Sequence, residues 1–225
     1  MIVVTGQNGL LSKELQKLDS NIRGLSSNDF DITKEDIKLK LKSLNPDIII
    51  HSAAVTNSHD VDSNPILAIK TNIIGTAFLS EYCLENNKRL VYISTDYVYP
   101  GTDGDYKETD PILPNNNYAW TKLGGECSVK LVPNHLIIRT SFGASEFPYP
   151  QAWTNQIVSK DYVDIISPMI LKVTKSNTIG ILNIGTDSKT MFEYASKRNS
   201  VLPIKKSTIN NFSLNTDKYE QLFFN

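Results

Sequence analysis

The sequence predicts an α/β fold: a doubly wound parallel sheet with helices on both faces, and a small, shortened C-terminal substrate lobe after it. Three observations predict this. Short, nearly continuous apolar runs (Ile2 to Thr5, Asp47 to His51, Arg89 to Ser94, His135 to Arg139) alternate with longer segments of helical spacing. Unbroken apolar strands of this kind suit a sheet covered on both faces, which right-handed crossovers wind in two directions. The alternation loosens after about Thr140, and Phe147-Pro148-Tyr149-Pro150 breaks it. We therefore expect one unit over residues 1–145 and a smaller one, packed on it, over 146–225.

Ile2 to Thr5 is the first strand. Leu10 to Leu18 follows as a helix, with apolar residues at 10, 11, 15 and 18. Ile22 to Leu25 is a weaker strand. Thr33 to Leu44 reads as a helix in which Thr33 is the N-cap and Ile37, Leu39, Leu41 and Leu44 are the apolar positions. Asp47 to His51, after Pro46, is a buried strand. Pro65 to Asn86 is a long helix with Pro65 in its first turn. Arg89 to Ser94 is the next strand, and a loop rich in Pro, Gly and Asp runs on to Asn117. Tyr118 to Leu131 is helical and His135 to Arg139 is a strand. Beyond the break we expect a helix over Tyr162 to Lys175, a strand over Ile181 to Ile184 and a short helix over Lys189 to Arg198. The tail from Lys205, rich in Asn and Lys, is expected at the surface.

A chain of 225 residues holds one large core, or one core with a small lobe. Its net charge of -1 offers no basic field, so nucleic acid is not an expected partner. Cys83 and Cys127 make no disulfide framework and read as reduced packing residues of a cytoplasmic protein. Met1 is followed directly by Ile2-Val3-Val4, so no secretory signal is expected. The apolar runs fall far short of the roughly 20 residues that span a bilayer, so no membrane role is expected. Asn211-Phe212-Ser213 matches a glycosylation triplet, which carries no weight in a cytoplasmic chain.

Thr5-Gly6-Gln7-Asn8-Gly9-Leu10-Leu11-Ser12 stands where the first strand turns into the first helix. A pyrophosphate needs close backbone approach and free N–H groups at a helix start. Gly6 allows the tight turn, and Gly9 removes the Cβ that would obstruct the phosphates. Alone, these residues suit an ordinary strand-to-helix turn equally well. Their place at the first βα junction of an alternating chain favours a dinucleotide.

Tyr118-Ala119-Trp120-Thr121-Lys122 sets a phenol and an ammonium four residues apart on one helix face. An ordinary Tyr titrates near 10, and a neighbouring ammonium is expected to lower that. Such a pair can exchange a proton with a carbonyl or alcohol oxygen while a nicotinamide handles the hydride. By itself Tyr-x-x-x-Lys also fits a plain surface helix. Ser94-Thr95-Asp96-Tyr97-Val98-Tyr99, at the carboxyl end of a strand, adds a hydroxyl from Thr95 at the edge where open α/β sheets keep their sites. Asn72, in the long helix, either holds a water that relays protons to Lys122 or simply bonds to backbone.

Taken in order with Asp31-Ile32-Thr33, His51-Ser52-Ala53-Ala54, Asn72 with Gly75, Glu108-Thr109-Asp110-Pro111, Lys122 to Glu126 and Arg139-Thr140-Ser141, these segments resemble the extended short-chain dehydrogenase/reductase superfamily, whose dinucleotide domain is Rossmann-type. Within it they are most similar to the dTDP-4-dehydrorhamnose reductase family, over about the first 145 residues. The resemblance implies a catalytic set of Thr95, Tyr118 and Lys122. It implies cofactor contacts from Gly6, Gln7, Asn8, Gly9, Leu10, Leu11, Asp31, Ile32, Ser52, Ala53 and Ala54, with Tyr118 and Lys122 at the nicotinamide ribose, and no metal. Asp96 and Phe142 would face the sugar together with Thr95. The implied activity is NAD(P)H-dependent reduction of a nucleotide-activated 4-keto-6-deoxy sugar.

This chain has Ser12 at the third glycine position, His51 where the family more often has Asn, and Phe142 where it has a larger aromatic. Related 4,6-dehydratases carry Thr-Asp-Glu; Tyr97 occupies the Glu position here, which disfavours dehydration. Family members generally have a longer C-terminal lobe. Phe147, Tyr149, Trp153, Lys160 and Tyr162 could rebuild a sugar-nucleotide pocket, although packing in a small lobe accounts for most of them. Ser26-Ser27-Asn28-Asp29 after the second strand tilts the cofactor toward NADP over NAD, because serines can bond a phosphate. Two competing readings stand beside the reductase. One is a sugar-nucleotide epimerase on the same scaffold, and the other a non-catalytic regulatory or binding member of the family. Leu123, Val129 and Leu131 offer apolar surface for a homodimer through the helix of Tyr118, and a monomer is equally readable.

Overall fold

The computed structural model describes residues 1–223. Among them the chain runs β1 (Ile2–Thr5), α1 (Leu10–Leu18), β2 (Ile22–Leu25), α2 (Ile37–Leu44) and β3 (Ile48–His51). Next come α3 (Ser58–Ser63), α4 (Pro65–Ala68), a π-helical segment (Ile69–Ile74), α5 (Gly75–Glu85), β4 (Arg89–Thr95), a 3-10 turn (Asp96–Val98), α6 (Asn117–Val129), β5 (His135–Thr140) and β6 (Phe142–Gly143). The remainder is β7 (Gln151–Trp153), β8 (Gln156–Val158), β9 (Asp161–Tyr162), α7 (Val163–Thr174), β10 (Gly180–Ile184), β11 (Lys189–Thr190), α8 (Met191–Ser196), β12 (Leu202–Ile204), β13 (Asn210–Phe212) and α9 (Asp217–Phe223).

Six strands pair in parallel in the order β10-β5-β4-β3-β1-β2. The order reverses at β1, so a crevice opens at the carboxyl ends of β1 and β3, where such sheets bind ligands. Consecutive residues point to opposite faces: Val4, Ile50 and Ile138 enter one core with α1 and α7, while Val3, Ile49 and Ile137 enter the other with α2 and α5. That two-sided burial is why the strands read as unbroken apolar runs.

Several expectations are corrected. α2 starts at Ile37, not Thr33, because Thr33 N–H and Oγ1 both donate to Asp31 Oδ1, at 2.9 and 2.8 Å, and hold that stretch out of the helix. The long helix from Pro65 is capped by Asn64 and passes through the π-helical segment. Residues 146–225 do not all belong to a separate lobe: α7, β10 and α9 return to the main core through Ile166, Leu182 and Tyr219. Among the described residues the short strands β6 to β9 and β11 to β13, with α8, stand apart from the main sheet. The tail is not all surface. β13 pairs with β8, Phe212 and Leu214 are buried, and the Phe212 ring meets Tyr97 edge-on at 4.8 Å. Phe224 and Asn225 lie outside the described residues. On α6, Val129 is core and Leu123 packs on a small buried cluster, so of the three expected surface residues only Leu131, just past the end of α6, is exposed, beside the unanticipated Trp120 on the helix.

Candidate functional site

Gly6 takes φ +70°, and a Cβ there would stand 3.0 Å from Ala53 Cα, so both conformation and space require glycine. Ser12 fits the third glycine position because it is buried and donates to the Thr5 carbonyl at 3.2 Å. Gly9 begins α1 without a side-chain cap, which leaves first-turn N–H groups and the positive end of the helix facing outward. Gly6 through Leu11 line one wall of a groove and Ser52, Ala53 and Ala54 another, joined by Ser27. A cradle of backbone amides with no acidic side chain in its lining fits a dinucleotide's diphosphate. Asp31 and Ile32 do not line it. Asp31 is turned onto Thr33, and Ile32 is buried against Gly75.

His51 joins this turn to the π-helical segment. Thr76 Oγ1 donates its one proton to the Asn72 carbonyl at 2.7 Å, so it accepts from His51 Nε2 at 2.9 Å. His51 Nδ1 then accepts from Thr5 Oγ1 at 2.8 Å, and Thr5 Oγ1 accepts from the N–H groups of Ser52 and Ala53 at 3.2 and 3.1 Å. Burial, and then the Lys122 charge, push His51 down to about 3, so the ring stays neutral.

A second cavity continues from the groove, with Leu10, Ser52, Ala54, Thr56 and Phe142 on the wall common to both. It brings together Thr95, Asp96 and Tyr97 from the end of β4, Tyr118 and Lys122 from α6, Phe142 from β6, and Lys160 from between β8 and β9. Asn116 caps α6 by accepting from Ala119 N–H at 2.8 Å, which fixes where Tyr118 begins its turn. Asn72 does not line the cavity. Its Oδ1 accepts from Val55 N–H at 2.8 Å, and its Nδ2 donates to Val55 O at 2.9 Å and Thr121 Oγ1 at 2.8 Å. It acts as a strut between helices rather than as the holder of a relay water.

The electrostatics depart from the sequence reading in one respect. Burial pushes the Tyr118 phenol well above its usual range and Asp96 adds to the push, while the Thr95 hydroxyl pulls back; the net shift is upward, opposite to the fall expected from Lys122. Burial draws the Lys122 ammonium down to about 7, with Glu126 opposing. Its Nζ stands 4.1 Å from the centre of the Tyr92 ring, whose face favours a cation. Burial lifts Asp96 to about 6 against the pull of Lys160. Thr95 Oγ1 donates to Asp96 Oδ1 at 3.1 Å, and the buried Oδ2 has no partner. Burial, with Asp96 adding, pushes Tyr97 up to about 12, which suits a wall rather than a base.

Glu126 accepts from Arg139 at 2.8 and 3.1 Å and from Ser94 Oγ at 2.5 Å, and Arg139 also donates to Tyr99 at 3.0 Å. This buried ion pair ties α6 to the two central strands, and the sequence offered it only as family pattern. A cleft next to the cavity shares Thr56 and Tyr97 with it and adds Phe147, Tyr149 and Trp153. Tyr162 is not there; it is buried against Tyr194.

A family model described as RmlD substrate binding domain matches residues 1–179. The dTDP-4-dehydrorhamnose reductase of Aggregatibacter actinomycetemcomitans is 33% identical over 154 residues, which is 65% of this chain and 52% of that protein. That of Escherichia coli (strain K12) is 32% identical over 151 residues, 63% of this chain and 50% of that protein. The chain spans about half the length of the curated relatives it matches. The solved dTDP-4-dehydrorhamnose reductase from Bacillus anthracis str. Ames, in complex with NADP, superposes with a TM-score of 0.88 at 27% identity, over 100% of this chain and 92% of that one. The UDP-glucose 4-epimerase of Thermus thermophilus, in complex with NAD, reaches 0.80 at 16% identity over 100% of this chain and 93% of that one, a likeness of fold.

Proposed function

Because the chain belongs to the RmlD substrate binding domain family, we propose that it is an NAD(P)H-dependent reductase of a nucleotide-activated 4-keto-6-deoxy sugar, working in the cytoplasm. The observation that carries this reading is one cavity wall holding Thr95, Tyr118 and Lys122 and running directly into the glycine-turn groove. A bound nicotinamide dinucleotide supplies the hydride. Gly6 to Leu11 and Ser52 to Ala54 hold it, and the lining residue Ser27 favours NADP over NAD by offering a hydroxyl where an acid would exclude a phosphate.

Tyr118 and Thr95, whose hydroxyl proton turns from Asp96 Oδ1, bond the substrate oxygen, and Tyr118 gives up its proton as negative charge grows there. A phenol pushed above its usual range keeps that proton until an alkoxide forms, which suits an acid in the reductive direction. Lys122, its ammonium drawn down to about 7, returns a proton to the phenolate left behind and, now a neutral amine, takes up the next one from solvent near neutral pH. Phe142 spans both spaces and separates the reacting carbon from bulk water. The free, unpaired Cys83 and Cys127 accord with a reducing compartment. Among the described residues no helix is long and apolar enough to cross a membrane. A homodimer through α6 would rest on Trp120 of that helix and on Leu131 just past its end.

The test is oxidation of NADPH with dTDP-linked 4-keto-6-deoxyhexoses. Tyr118→Phe should lower turnover by about 10²–10⁴ while NADPH binding persists. Wild type and variant equally inert over several keto sugars would end this reading.

A further inference from the structure

The family resemblance sets Asp96 against the sugar, and proton and hydride transfer leave Lys160, in the lining of the same cavity, without a task. Asp96 is 1% exposed, and its Oδ2 has no hydrogen-bond partner. Lys160 lines the same cavity, and its charge is the strongest influence drawing the Asp96 carboxyl down. Yet no carboxylate lies within 4.0 Å of its Nζ among the described residues. The Lys160 backbone is fixed. Its carbonyl accepts from Lys189 Nζ at 3.2 Å, and the adjoining Asp161 holds Lys197 at 2.7 Å and Thr186 at 2.9 Å. The side chain passes Gly143, where a Cβ would stand 3.4 Å from Lys160 Cε and 2.2 Å from the Tyr194 hydroxyl. An anion and a cation thus face one cavity, near each other but not joined.

We propose that Lys160 and Asp96 grip a single substrate hydroxyl, on the carbon next to the reacting carbonyl, and that Lys160 sets which substituent is accepted there. A hydroxyl is both donor and acceptor: it gives its proton to Asp96 Oδ2 and accepts one from Lys160. A hydrogen atom at that position leaves a buried carboxylate and a half-buried ammonium unsatisfied. An ammonium at that position is repelled by Lys160. Thr95 and Asp96 are consecutive, with Oγ1 and Oδ1 3.1 Å apart, so the carboxylate reaches a neighbour of the oxygen that Thr95 addresses. In a 4-keto-6-deoxy sugar that neighbour is the C3 hydroxyl. Lys160 is thus a specificity residue, and this assignment rests on the reductase reading above.

The experiment compares wild type, Lys160→Met and Lys160→Gln on a dTDP-4-keto-6-deoxyhexose and its 3-deoxy counterpart. It adds equilibrium titration with the matching 4-hydroxy sugar nucleotides, which needs no turnover. Lys160→Met should raise KM and Kd for the 3-hydroxy ligands about tenfold or more, leave the 3-deoxy ligands within about twofold, and keep NADPH affinity. Lys160→Gln, which retains a donor, should recover part of the loss. Equal losses on both ligand series, or none, overturn the assignment while leaving the reductase intact. Inert wild type with Lys160-dependent binding of the 3-hydroxy ligand overturns the reductase and leaves the grip. If Lys160→Met no longer binds NADPH, wild-type discrimination decides: equal affinity for 3-hydroxy and 3-deoxy ligands overturns the grip.

Discussion

Phe212→Ala tests whether the C-terminal segment frames the site. The Phe212 ring is 3% exposed, stacks edge-on against Tyr97 at 4.8 Å, and fills the space beside Gly101, where a Cβ would come within 2.2 Å of it. Truncating a buried Phe costs about 3–5 kcal/mol, and an edge-to-face pair holds roughly 0.5–1.5 kcal/mol of that beyond area burial. The small strands around Phe212 can partly close on the cavity, so a loss near 3 kcal/mol is expected. For a domain of this size that is about 6–12 °C in Tm. Urea unfolding with an unchanged m-value should give the same loss. Tyr97 lines both the cavity and the aromatic cleft, so KM for the sugar nucleotide should rise, while NADPH affinity, set by a groove that Phe212 does not line, should hold. A loss under about 1 kcal/mol, or an equal fall in affinity for both ligands, would refute this reasoning.

Gly125→Ala puts a Cβ 2.4 Å from the Tyr92 hydroxyl and 2.8 Å from the Asn72 carbonyl. Overpacking of about 1–3 kcal/mol should outweigh a helix-propensity gain of up to about 1 kcal/mol; thermal unfolding should show a net loss, and a more stable variant would refute the close approach. Lys122, folded at about 7 and ordinarily at 10.5, binds fewer protons folded than unfolded between those values. The unfolded chain therefore holds the extra proton, and this group makes stability rise with pH across that window, by up to about 1.4 kcal/mol per unit. Comparing denaturation of wild type and Lys122→Met from about pH 7 to 10 should show wild type gaining on the variant; parallel curves would contradict the burial of the ammonium.

The strands of the main sheet were legible because residues such as Val3 and Val4 are both buried, on opposite faces, and leave an unbroken apolar signal. Tyr118, Lys122 and Thr95 were legible because helical spacing and a strand end are local properties. Asp31 and Ile32 were misplaced because loop side chains follow local hydrogen bonds, here Asp31 to Thr33, that no periodicity carries. The π-helical segment depends on Asn72 reaching Val55 and Thr121, partners 17 and 49 residues away. The tail hid its role because its composition is dominated by Asn and Lys, whereas its packing is decided by Phe212, Leu214 and Tyr219.

β10 takes its place beside β5 only after four short strands, β6 to β9, and then α7 have intervened along the chain. During synthesis β5 is complete while its outer row of N–H and C=O groups still has no neighbour, with Leu136, Ile137 and Ile138 along it. Such a rim is a template on which a second nascent chain can add a strand. β10 then becomes the edge, but side chains occupy part of its outer row: Asn183 N–H donates to Glu108 Oε1 at 2.9 Å and the Ile181 carbonyl accepts from Lys218. The interval before β10 arrives is therefore when the chain is most exposed to mispairing.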